Sequence, residues 1–450
     1  MFRRLFVANR GEVAARLVRA AHALDLEVVC AASTADLEAG FPYLDAADDV
    51  VCLGPGPAAQ SYLKAEEVVQ AAVQSGCSAL HPGWGFLAED PAFASLCAQH
   101  GVTFVGPAPG VMDRMGRKVS SREAARDAGL PVVPGSHGLL ADAAEAARVA
   151  EEVGYPVVLK ADAGGGGRGI RRCDGPEELE AAFQQAAREA ETAFGSGALY
   201  LEKYLVGGRH IEVQVLGDGR GQAIHLGDRE CSIQRRHQKL LEEAPVLAPA
   251  DRASLGARSA AAAASWHYAG AGTMEFLLDQ EGAFHFLEMN TRLQVEHPVT
   301  EMVTGIDLVE AQLRIAAGGP LPCAQGEVRW EGHAIELRLN AEDADQDFRP
   351  SPGLLENFAF PEGCPGLRVD THLAAGSRIG THYDSLLAKV ILLRPDRAAC
   401  IDGLLELLDG IAIAGVATTA DLHRRVLAHE DFRRGATDTL WLEGMLAAGS

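Results

Sequence analysis

Apolar residues in the first hundred positions recur at two spacings, one typical of strands and one typical of helices. A short apolar run over 5–8 and another over 27–32 flank a stretch, 13–24, whose apolar positions have helical spacing. Further alternation to about residue 106 predicts a parallel α/β sheet. The first turn, residues 9–12, lacks the G-x-G-x-x-G pattern of dinucleotide-binding proteins, so we expect a lobe that is Rossmann-like in shape only.

Helix starts and stops divide the rest of the chain. Asp174 and Asp307 are each followed three residues later by Glu, which is the pattern of a capping box and predicts a helix start. Gly318-Gly319-Pro320 ends the second of these helices. Strand patterns return at 333–340 and 386–393. The chain as a whole is predicted to be α/β (α+β), with domains 1–112, 113–320 and 321–450.

Composition and charge narrow the classes of function. The chain has 450 residues, 48% hydrophobic and 23% charged, which is typical of a globular protein. Its net charge of −22 argues against nucleic acid and anionic membranes as partners. Nine dispersed cysteines without a C-x-x-C pair indicate reduced thiols and a cytoplasmic location. No apolar run is long enough to span a bilayer.

A glycine run follows an apolar strand that ends in a lysine. The strand covers 155–160, the glycines 164–169, and a second strand 170–173. Because the glycines lie between two strands and lack a terminal G-K-[ST], the pattern excludes a Walker A loop. Backbone N–H groups of such a run can close on phosphate oxygens, and Lys160 and Arg168 would add positive charge. The alternative is a flexible surface loop, but the flanking strands and the lysine favour a phosphate site.

Two glutamates occupy matched positions in a predicted hairpin. The strands cover 273–278 and 283–289, and a turn centred on 281–282 would place Glu275 directly opposite Glu288. Side chains in that arrangement lie about 5 Å apart, so the two carboxylates repel unless one is protonated or a cation lies between them.

A metal explains this arrangement better than a solvated surface does. Asn290 is two residues beyond Glu288 and therefore points the same way. Two carboxylates and an amide oxygen suit Mg²⁺ or Mn²⁺ shared with the phosphates of ATP. A solvated hairpin face with a like-charge pair is the alternative, but it explains poorly why glutamates interrupt apolar runs at matched positions.

Charged residues also alternate in the two segments that follow. Arg292, Gln294 and Glu296 share one face if their segment is extended, and could hold a small oxyanion and remove its proton. The strand over 333–340 carries Glu336 and Arg338 on its polar face, where Arg338 by itself would be a surface arginine.

A dense polar segment, 227–239, precedes the hairpin. A charge cluster of this kind is usually a solvated face, although its glutamine, histidine and lysine also fit contacts to ribose and phosphate. Cys231 is predicted to be a structural neighbour rather than a nucleophile. The pattern around His210 leaves the role of that histidine open.

Taken together, these segments resemble the biotin carboxylase family of ATP-grasp enzymes over nearly the whole chain. The matching stretches are 8–12, 81–87, 112–115 with Lys118, 164–169, 227–239, 288–303 and 332–343. The resemblance implies a Rossmann-like N-terminal lobe, an ATP-grasp lobe with a mobile lid over about 130–202, and a C-terminal lobe that completes the site.

The resemblance also implies roles for individual residues. It assigns the ATP phosphates to Lys118, Lys160, Gly165, Gly166, Gly167, Arg168 and Gly169. It assigns the rest of the nucleotide to Glu202, Lys203, Leu205, His210, Gln234, His237 and Leu277. It assigns two metal ions to Glu275, Glu288 and Asn290. It assigns bicarbonate and biotin to Lys239, Arg292, Gln294, Val295, Glu296 and Arg338, with Trp84 beside the biotin.

The implied chemistry has two steps. Glu296 takes a proton from bicarbonate, which attacks the γ-phosphate of ATP to give carboxyphosphate. Carboxyphosphate then yields CO₂ and phosphate, the phosphate deprotonates biotin, and Arg338 stabilises the enolate-like ureido oxygen. Lys239 and Arg292 complete the predicted catalytic set, and closure of the lid keeps water away from carboxyphosphate.

The implied partners are ATP, two Mg²⁺ or Mn²⁺ ions, bicarbonate, a biotin carboxyl carrier protein or domain, carboxyltransferase subunits and a second copy of the chain. Acetyl-CoA or propionyl-CoA is the expected final acceptor, with methylcrotonyl-CoA, pyruvate and urea as alternatives. A carbamoyl-phosphate-type ligase would lack the 292–296 segment together with Arg338. A scaffolding protein with an inactive site would lack a metal glutamate, Lys239 or Glu296, and all of these are present.

Four departures from the family pattern are visible. Trp84 stands where the family commonly has tyrosine, Ser385 where proline is common, and Thr419 where asparagine is common. The stretch 37–49 is unlike the usual family sequence.

Overall fold

A computed structural model describes residues 2–162, 169–236 and 238–448. Its first region is a parallel sheet of strand order β3-β2-β1-β4-β5 with helices packed on it, as the alternating pattern predicts. The central strands are fully buried because helices cover both faces of a parallel sheet. The elements are β1 (Arg4–Val7), α1 (Gly11–Ala23), β2 (Glu27–Ser33), α2 (Thr34–Ala39), α3 (Pro42–Ala46), β3 (Asp49–Gly54), a 3₁₀ turn (Ala58–Gln60), α4 (Ala65–Gln74), β4 (Ala79–His81), α5 (Pro91–Gln99) and β5 (Thr103–Phe104).

Two helices then lead to a small antiparallel unit with its own apolar core. Its strand order is β7-β6-β8, and helices α8 and α9 pack on it. The elements are α6 (Pro109–Gly116), α7 (Lys118–Asp127), α8 (Ala143–Val153), β6 (Val157–Ala161), β7 (Ile170–Cys173), α9 (Pro176–Phe194) and β8 (Leu199–Lys203). The glycine run therefore joins two paired strands, as predicted, although residues 163–168 lie outside the described part of the chain.

A large antiparallel sheet forms the centre of the molecule. Its strand order is β13-β12-β9-β10-β11-β14-β21-β19, so the strands between 209 and 290 share one sheet with three later strands, His333–Asn340, Leu367–Thr371 and Leu386–Arg394. The elements up to residue 327 are β9 (Arg209–Asp218), β10 (Ala223–Arg235), β11 (Gln238–Ala244), α10 (Pro249–Ser265), β12 (Ala269–Leu278), β13 (Phe284–Asn290), α11 (His297–Thr304), α12 (Leu308–Ala316) and a 3₁₀ turn (Gln325–Glu327).

The C-terminal region adds short strands and a helical layer around β14 and β21. Helix α13 packs on these two strands, and α14 packs on α13. The elements are β14 (His333–Asn340), β15 (Glu342–Asp343), a 3₁₀ turn (Ala344–Gln346), β16 (Arg349–Pro350), β17 (Gly353–Leu354), β18 (Asn357–Ala359), β19 (Leu367–Thr371), β20 (Arg378–Ile379), β21 (Leu386–Arg394), α13 (Arg397–Gly410), β22 (Ala412–Ala414), α14 (Ala420–Ala428), α15 (Glu430–Arg433) and α16 (Trp441–Ala448).

A helix begins at both predicted starts, but only one of the two predicted capping residues is confirmed. Asp307 caps α12 by accepting a hydrogen bond from the backbone N–H of Glu310 at 2.8 Å. Asp174 does not cap α9, because Pro176 is the first residue of that helix and the N-cap position falls on Gly175, which has no side chain to offer.

Within 2–162, 169–236 and 238–448, no helix has both the length and the apolar character that a membrane crossing requires.

Candidate active site

Glu296 lies at the centre of a buried ionic cluster. It is fully buried at the start of α11, where Lys239 Nζ approaches one carboxylate oxygen at 2.9 Å and Arg338 Nη2 the other at 2.9 Å. Burial alone would raise the pKa of Glu296, but the positive charges of Lys239, Arg338 and Arg229 together outweigh it and the pKa is lowered. Glu296 is therefore an ionised carboxylate, which is the form that can accept a proton.

Lys239, on β11, is enclosed by three carboxylates. Its ammonium group lies 3.0 Å from Glu275 and 2.9 Å from Glu296, and it also pairs with Glu212, which the sequence analysis missed. Burial would lower the pKa of Lys239, but the carboxylates outweigh this and raise it well above its ordinary value. The thiol of Cys231 lies beside Glu212 and Glu296, and burial keeps its pKa high, so it stays protonated.

Arg338, on β14, is shared between two carboxylates. Its Nε donates to Glu242 at 2.6 Å and its Nη2 to Glu296 at 2.9 Å. Glu242 pairs across the strands with Glu336, and both are fully buried. The polar face predicted for Glu336 and Arg338 is therefore not a surface face, because elements from distant parts of the chain, α11 and α13 among them, pack on β14. Burial raises the pKa of Glu336 well above its ordinary value, so this side chain is a neutral acid.

The polar segment 227–239 is not a solvated face, which corrects that expectation. Most of β10 is buried, and Arg229 at its centre is fully buried. The guanidinium of Arg229 donates to Glu212 at 2.9 Å, Gln214 at 2.6 Å and Thr273 at 2.9 Å. These bonds satisfy the buried charge and fix Glu212 against Lys239.

The predicted pairing of Glu275 with Glu288 is present in the hairpin of β12 and β13. The strand register near the turn differs by one residue from the prediction, and a bulge at Leu287 restores the pairing. Glu288 is exposed and forms no ion pair with any residue that the structure describes; partial loss of hydration and the charge of Glu275 raise its pKa. Glu275 is paired with Lys239 and His210, so the unneutralised carboxylate is that of Glu288, and a divalent cation between the two glutamates would neutralise it.

Asn290 fits the metal less directly than the two glutamates do. Its Nδ2 donates to Glu275 at 2.9 Å, and its Oδ1 accepts from Arg292 at 2.9 Å. The amide would have to rotate for its oxygen to face a metal beside Glu275, so its role as a ligand stays a prediction. His210 lies 3.2 Å from Glu275; burial would lower its pKa, but the carboxylates of Glu275 and Glu212 outweigh this and raise it to about 9.

The segment between the hairpin and α11 is not a strand, but its polar side chains still converge. Arg292 donates to Glu89 at 2.7 Å and to Gln294 at 3.2 Å. Gln294 in turn donates to Glu275 at 3.2 Å, and the carbonyl of Val295 accepts from a buried lysine at 2.9 Å. Arg292, Gln294 and Glu296 are therefore linked through Glu275 and Lys239, although the extended segment on which the prediction of a shared face depended is absent.

The predicted phosphate ligands approach from two elements. Lys118 begins α7, and Lys160 on β6 pairs with Glu202, whose other oxygen lies 3.0 Å from Arg122. Gly169 has a φ of +68°, and a Cβ there would lie 2.8 Å from that of Ala161, so only glycine fits. The predicted ligands Gly165, Gly166, Gly167, Arg168 and His237 lie outside the described residues.

The remaining predicted site residues differ in how they are held. Lys203 donates to the carbonyls of Gly154 and Tyr155 at 2.9 and 2.8 Å. Leu277 pairs with His210 across β12 and β9. The other two nucleotide residues are Leu205, half-buried, and Gln234, buried.

Trp84 belongs to the loop after β4. Its carbonyl accepts from Asn9 at 2.8 Å, and its indole nitrogen is buried with no hydrogen-bond partner among the described residues. The structure therefore fixes the main chain of this loop, and no hydrogen bond within the described residues joins the Trp84 indole to the cluster around Glu296.

Comparison with known proteins places the chain in a family. Three family models match consecutive parts of the chain: "Biotin carboxylase, N-terminal domain" over 1–112, "Carbamoyl-phosphate synthase L chain, ATP binding domain" over 117–324, and "Biotin carboxylase C-terminal domain" over 336–444. The chain is 48% identical to biotin carboxylase 2 of Populus trichocarpa, covering 98% of this chain and 83% of the relative. It is 47% identical to biotin carboxylase of Pseudomonas aeruginosa, covering 99% of both.

Solved structures agree with these relatives. A biotin carboxylase complex from Campylobacter jejuni matches with a TM-score of 0.93 and 42% identity, covering 99% of both chains. The biotin carboxylase domain dimer of 2-oxoglutarate carboxylase from Hydrogenobacter thermophilus, solved with MgADP and bicarbonate, matches with a TM-score of 0.91 and 46% identity over 99% of this chain and 98% of that chain. Because its relatives match over nearly the whole chain and its structure has the same ATP-grasp fold, the chain belongs to the biotin carboxylase family of ATP-dependent carboxylating ligases.

Proposed function

We propose that Glu296 is the general base of bicarbonate activation and that Lys239, Arg292 and Arg338 are the cations of the reaction. The observation that carries this proposal is the ionised carboxylate of Glu296, fully buried between Lys239 and Arg338. A base must be ionised and within hydrogen-bond reach of the proton it accepts, and both cations favour the ionised form.

The first step joins bicarbonate to the γ-phosphoryl group of ATP. Glu296 accepts the bicarbonate proton, and the bicarbonate oxygen forms a bond to phosphorus while the bond to ADP breaks. Arg292, with Gln294 and the backbone at Val295, holds the bicarbonate, because a guanidinium and an amide can donate to a small oxyanion. Lys239 neutralises charge that develops on the phosphoryl group.

The second step transfers carbon to biotin. Carboxyphosphate separates into CO₂ and phosphate, the phosphate takes the proton from biotin N1, and the biotin nitrogen forms a bond to CO₂. Arg338 donates to the ureido oxygen of biotin, which becomes enolate-like when N1 loses its proton. Trp84 lies beside the biotin in this proposal.

Nucleotide binding divides between the small antiparallel unit and the large sheet. The phosphates contact Lys118, Lys160, Gly165, Gly166, Gly167, Arg168 and Gly169. The adenine and ribose contact Glu202, Lys203, Leu205, His210, Gln234, His237 and Leu277. The segment 130–202 acts as a lid, which its separate core supports, because a unit with its own core can move as a body.

Glu275 and Glu288 hold the metal in this proposal, with Asn290 as a third ligand after rotation of its amide. Bound Mg²⁺ or Mn²⁺ would neutralise negative charge on the ATP phosphates. Hydrogen bonds from Lys239 and Asn290 hold the carboxylate of Glu275 in position for the metal.

The partners follow from the chemistry. Biotin reaches the cleft on a carrier protein or domain, and carboxyltransferase subunits pass the carboxyl group to acetyl-CoA or propionyl-CoA. Relatives of about equal identity include both biotin carboxylases and a 2-oxoglutarate carboxylase subunit at 47%, so reconstitution with each acceptor is the test of this assignment. The proposal includes a homodimer. It also includes a cytoplasmic location, and the nine free thiols support that location.

The first experiment is ADP release from MgATP, with and without bicarbonate and free biotin. We expect biotin-stimulated, bicarbonate-dependent ADP release from the wild type and its loss in Glu296→Ala, because no other ionised group replaces the base. Glu281→Ala, on the exposed turn of the hairpin, is the control for loss of a glutamate. Turnover that needs bicarbonate but ignores biotin and a biotinylated carrier would instead identify a carbamoyl-phosphate-type ligase.

A further inference from the structure

The main-chain carbonyl of Arg338 accepts hydrogen bonds from two side chains of the C-terminal region. Thr419 Oγ1 donates to it at 3.0 Å, and His423 Nε2 donates to it at 2.8 Å. Thr419 occupies the N-cap position of α14, and His423 lies one turn into the helix. Both side chains are buried, so water does not compete for the carbonyl.

These bonds lie where the sheet is irregular. The register of β14 against β21 shifts between Leu339 and Asn340, directly after Arg338. Thr419 also fastens this end of the strand, because its Oγ1 accepts from the N–H of Asn340 at 3.1 Å and its own N–H donates to the carbonyl of Asn340 at 3.2 Å. Helix α14 thus supplies partners where the regular ladder of the strand is interrupted.

The protonation of His423 is fixed by its surroundings. Burial lowers its pKa to about 4, so the ring is neutral at physiological pH. A carbonyl oxygen only accepts, so Nε2 of the neutral ring carries the hydrogen. The side chain is therefore a fixed donor toward Arg338.

We propose that Thr419 and His423 are positioning residues that act through Arg338 in the carboxylation of biotin. Glu242 and Glu296 orient the guanidinium of Arg338, while the two C-terminal residues fix the main chain from which it extends. Loss of either donor lets the end of β14 move, and a long side chain carries that displacement to the atoms that contact biotin. The inference rests on the proposed role of Arg338.

The test compares two products of the full-length enzyme, ADP and carboxybiotin, with MgATP, bicarbonate and free biotin. Thr419→Val and His423→Leu remove the donors at similar size, and Thr419→Ser and His423→Gln keep a donor as matched controls. We expect the carboxybiotin formed per ADP to fall about fivefold in each of the first two variants, the effect of one buried hydrogen bond. Bicarbonate-dependent ADP release should change less than about twofold, because Lys239 still holds Glu296.

Both control variants should keep the wild-type ratio of carboxybiotin to ADP. A purely structural role would lower both products in parallel with the amount of folded enzyme and leave that ratio unchanged, which would overturn the inference. If Thr419→Val does not fold, the comparison of His423→Leu with His423→Gln decides the question in the same way.

Arg338→Gln separates this inference from the proposed function. If Arg338→Gln keeps the wild-type ratio, the role of Arg338 in the biotin step is wrong, and the inference falls with it. If Arg338→Gln lowers the ratio while Thr419→Val and His423→Leu keep it, the inference alone is wrong.

Discussion

The ammonium group of Lys239 controls the charge of the proposed base. Because Lys239 lowers the pKa of Glu296, its replacement by glutamine should raise that pKa. The base must be ionised, so activity is lost as the pH falls through its pKa. In Lys239→Gln the acid limb of the pH profile should therefore lie at higher pH, and bicarbonate-dependent ADP release at pH 7 should fall by about 10²–10³-fold.

The control for Lys239→Gln is Lys64→Gln, which removes the same charge from an exposed ion pair with Glu67. That variant should leave the pH profile of ADP release unchanged. An acid limb at the same pH in Lys239→Gln and the wild type would contradict the assignment of Lys239 as the group that keeps Glu296 ionised.

At single positions, sequence predicted the residues that carry a recognisable pattern and missed those that do not. Glu275 and Glu288 interrupt apolar runs at matched positions, so their pairing was visible. Glu212 is a single glutamate on its strand and Glu242 is followed directly by Glu243, and both patterns are equally typical of solvent-facing positions. These two glutamates are buried only because elements from distant parts of the chain pack on the sheet. The spacing of residues within one strand does not predict such packing.

The hairpin of β12 and β13 shows which features of a pair of strands a local sequence pattern can predict. Two apolar runs predicted both strands, and the pairing of Glu275 with Glu288 is confirmed. The bulge at Leu287 was not predictable, because an extra residue in one strand changes the register without changing the apolar pattern around it. The predicted register is wrong by one residue near the turn, and the unpredicted bulge shifts it back by one residue. The predicted pairing of the two glutamates is therefore correct.

Strand β11 is tied to its neighbours by a second buried ionic group. Glu243 contacts His333 of β14 at 2.8 Å and Arg397 of α13 at 2.6 Å. Burial alone would raise the pKa of Glu243, but the hydrogen bonds from His333 and Arg397 outweigh it and lower the pKa to about 2. The folded state therefore favours the ionised form more than the unfolded state does.

Glu243→Gln should lower the free energy of unfolding at pH 7 by about 3 kcal/mol, because it leaves the partly buried guanidinium of Arg397 without its carboxylate. A carboxylate with a lowered pKa stabilises the fold above its unfolded pKa of about 4.5 and loses that effect as the pH falls toward 2. In urea unfolding, the difference in free energy of unfolding between wild type and variant should therefore become smaller below about pH 4.5. Glu331→Gln, at an exposed position, is the control. If the difference in free energy of unfolding between wild type and Glu243→Gln does not depend on pH, the proposed role of the Glu243 carboxylate is contradicted.

At the scale of the whole molecule, sequence predicted three lobes but not the way they join. The eight-stranded sheet combines β9 to β13 with β14, β19 and β21, so strands from the second and third predicted domains are hydrogen-bonded in one layer. Strand order across a sheet depends on pairings between distant segments, which local patterns do not specify. The boundaries 1–112, 113–320 and 321–450 stay a prediction.

All three predicted domains meet at the side chain of Lys389. This lysine is fully buried on β21, lies 2.9 Å from Glu12 of α1, and donates to the carbonyl of Val295 at 2.9 Å. Burial raises the pKa of Glu12 in spite of the positive charge of Lys389. The ion pair therefore links the parallel sheet, the segment beside Glu296 and the C-terminal region.

Lys389→Met should lower the free energy of unfolding by about 3–5 kcal/mol at pH 8, because it leaves the carboxylate of Glu12 buried without its cation. The double variant Glu12→Gln, Lys389→Met should recover a large part of this loss, since it removes the uncompensated charge and leaves only the lost bond to Val295. Urea unfolding of the wild type, both single variants and the double variant measures the coupling. If the two single effects simply add, the contact between Glu12 and Lys389 contributes nothing to holding the three regions together. The other contacts between them, such as the ion pair of Arg16 with Glu301 and the pairing of β11 with β14, would then account for their association.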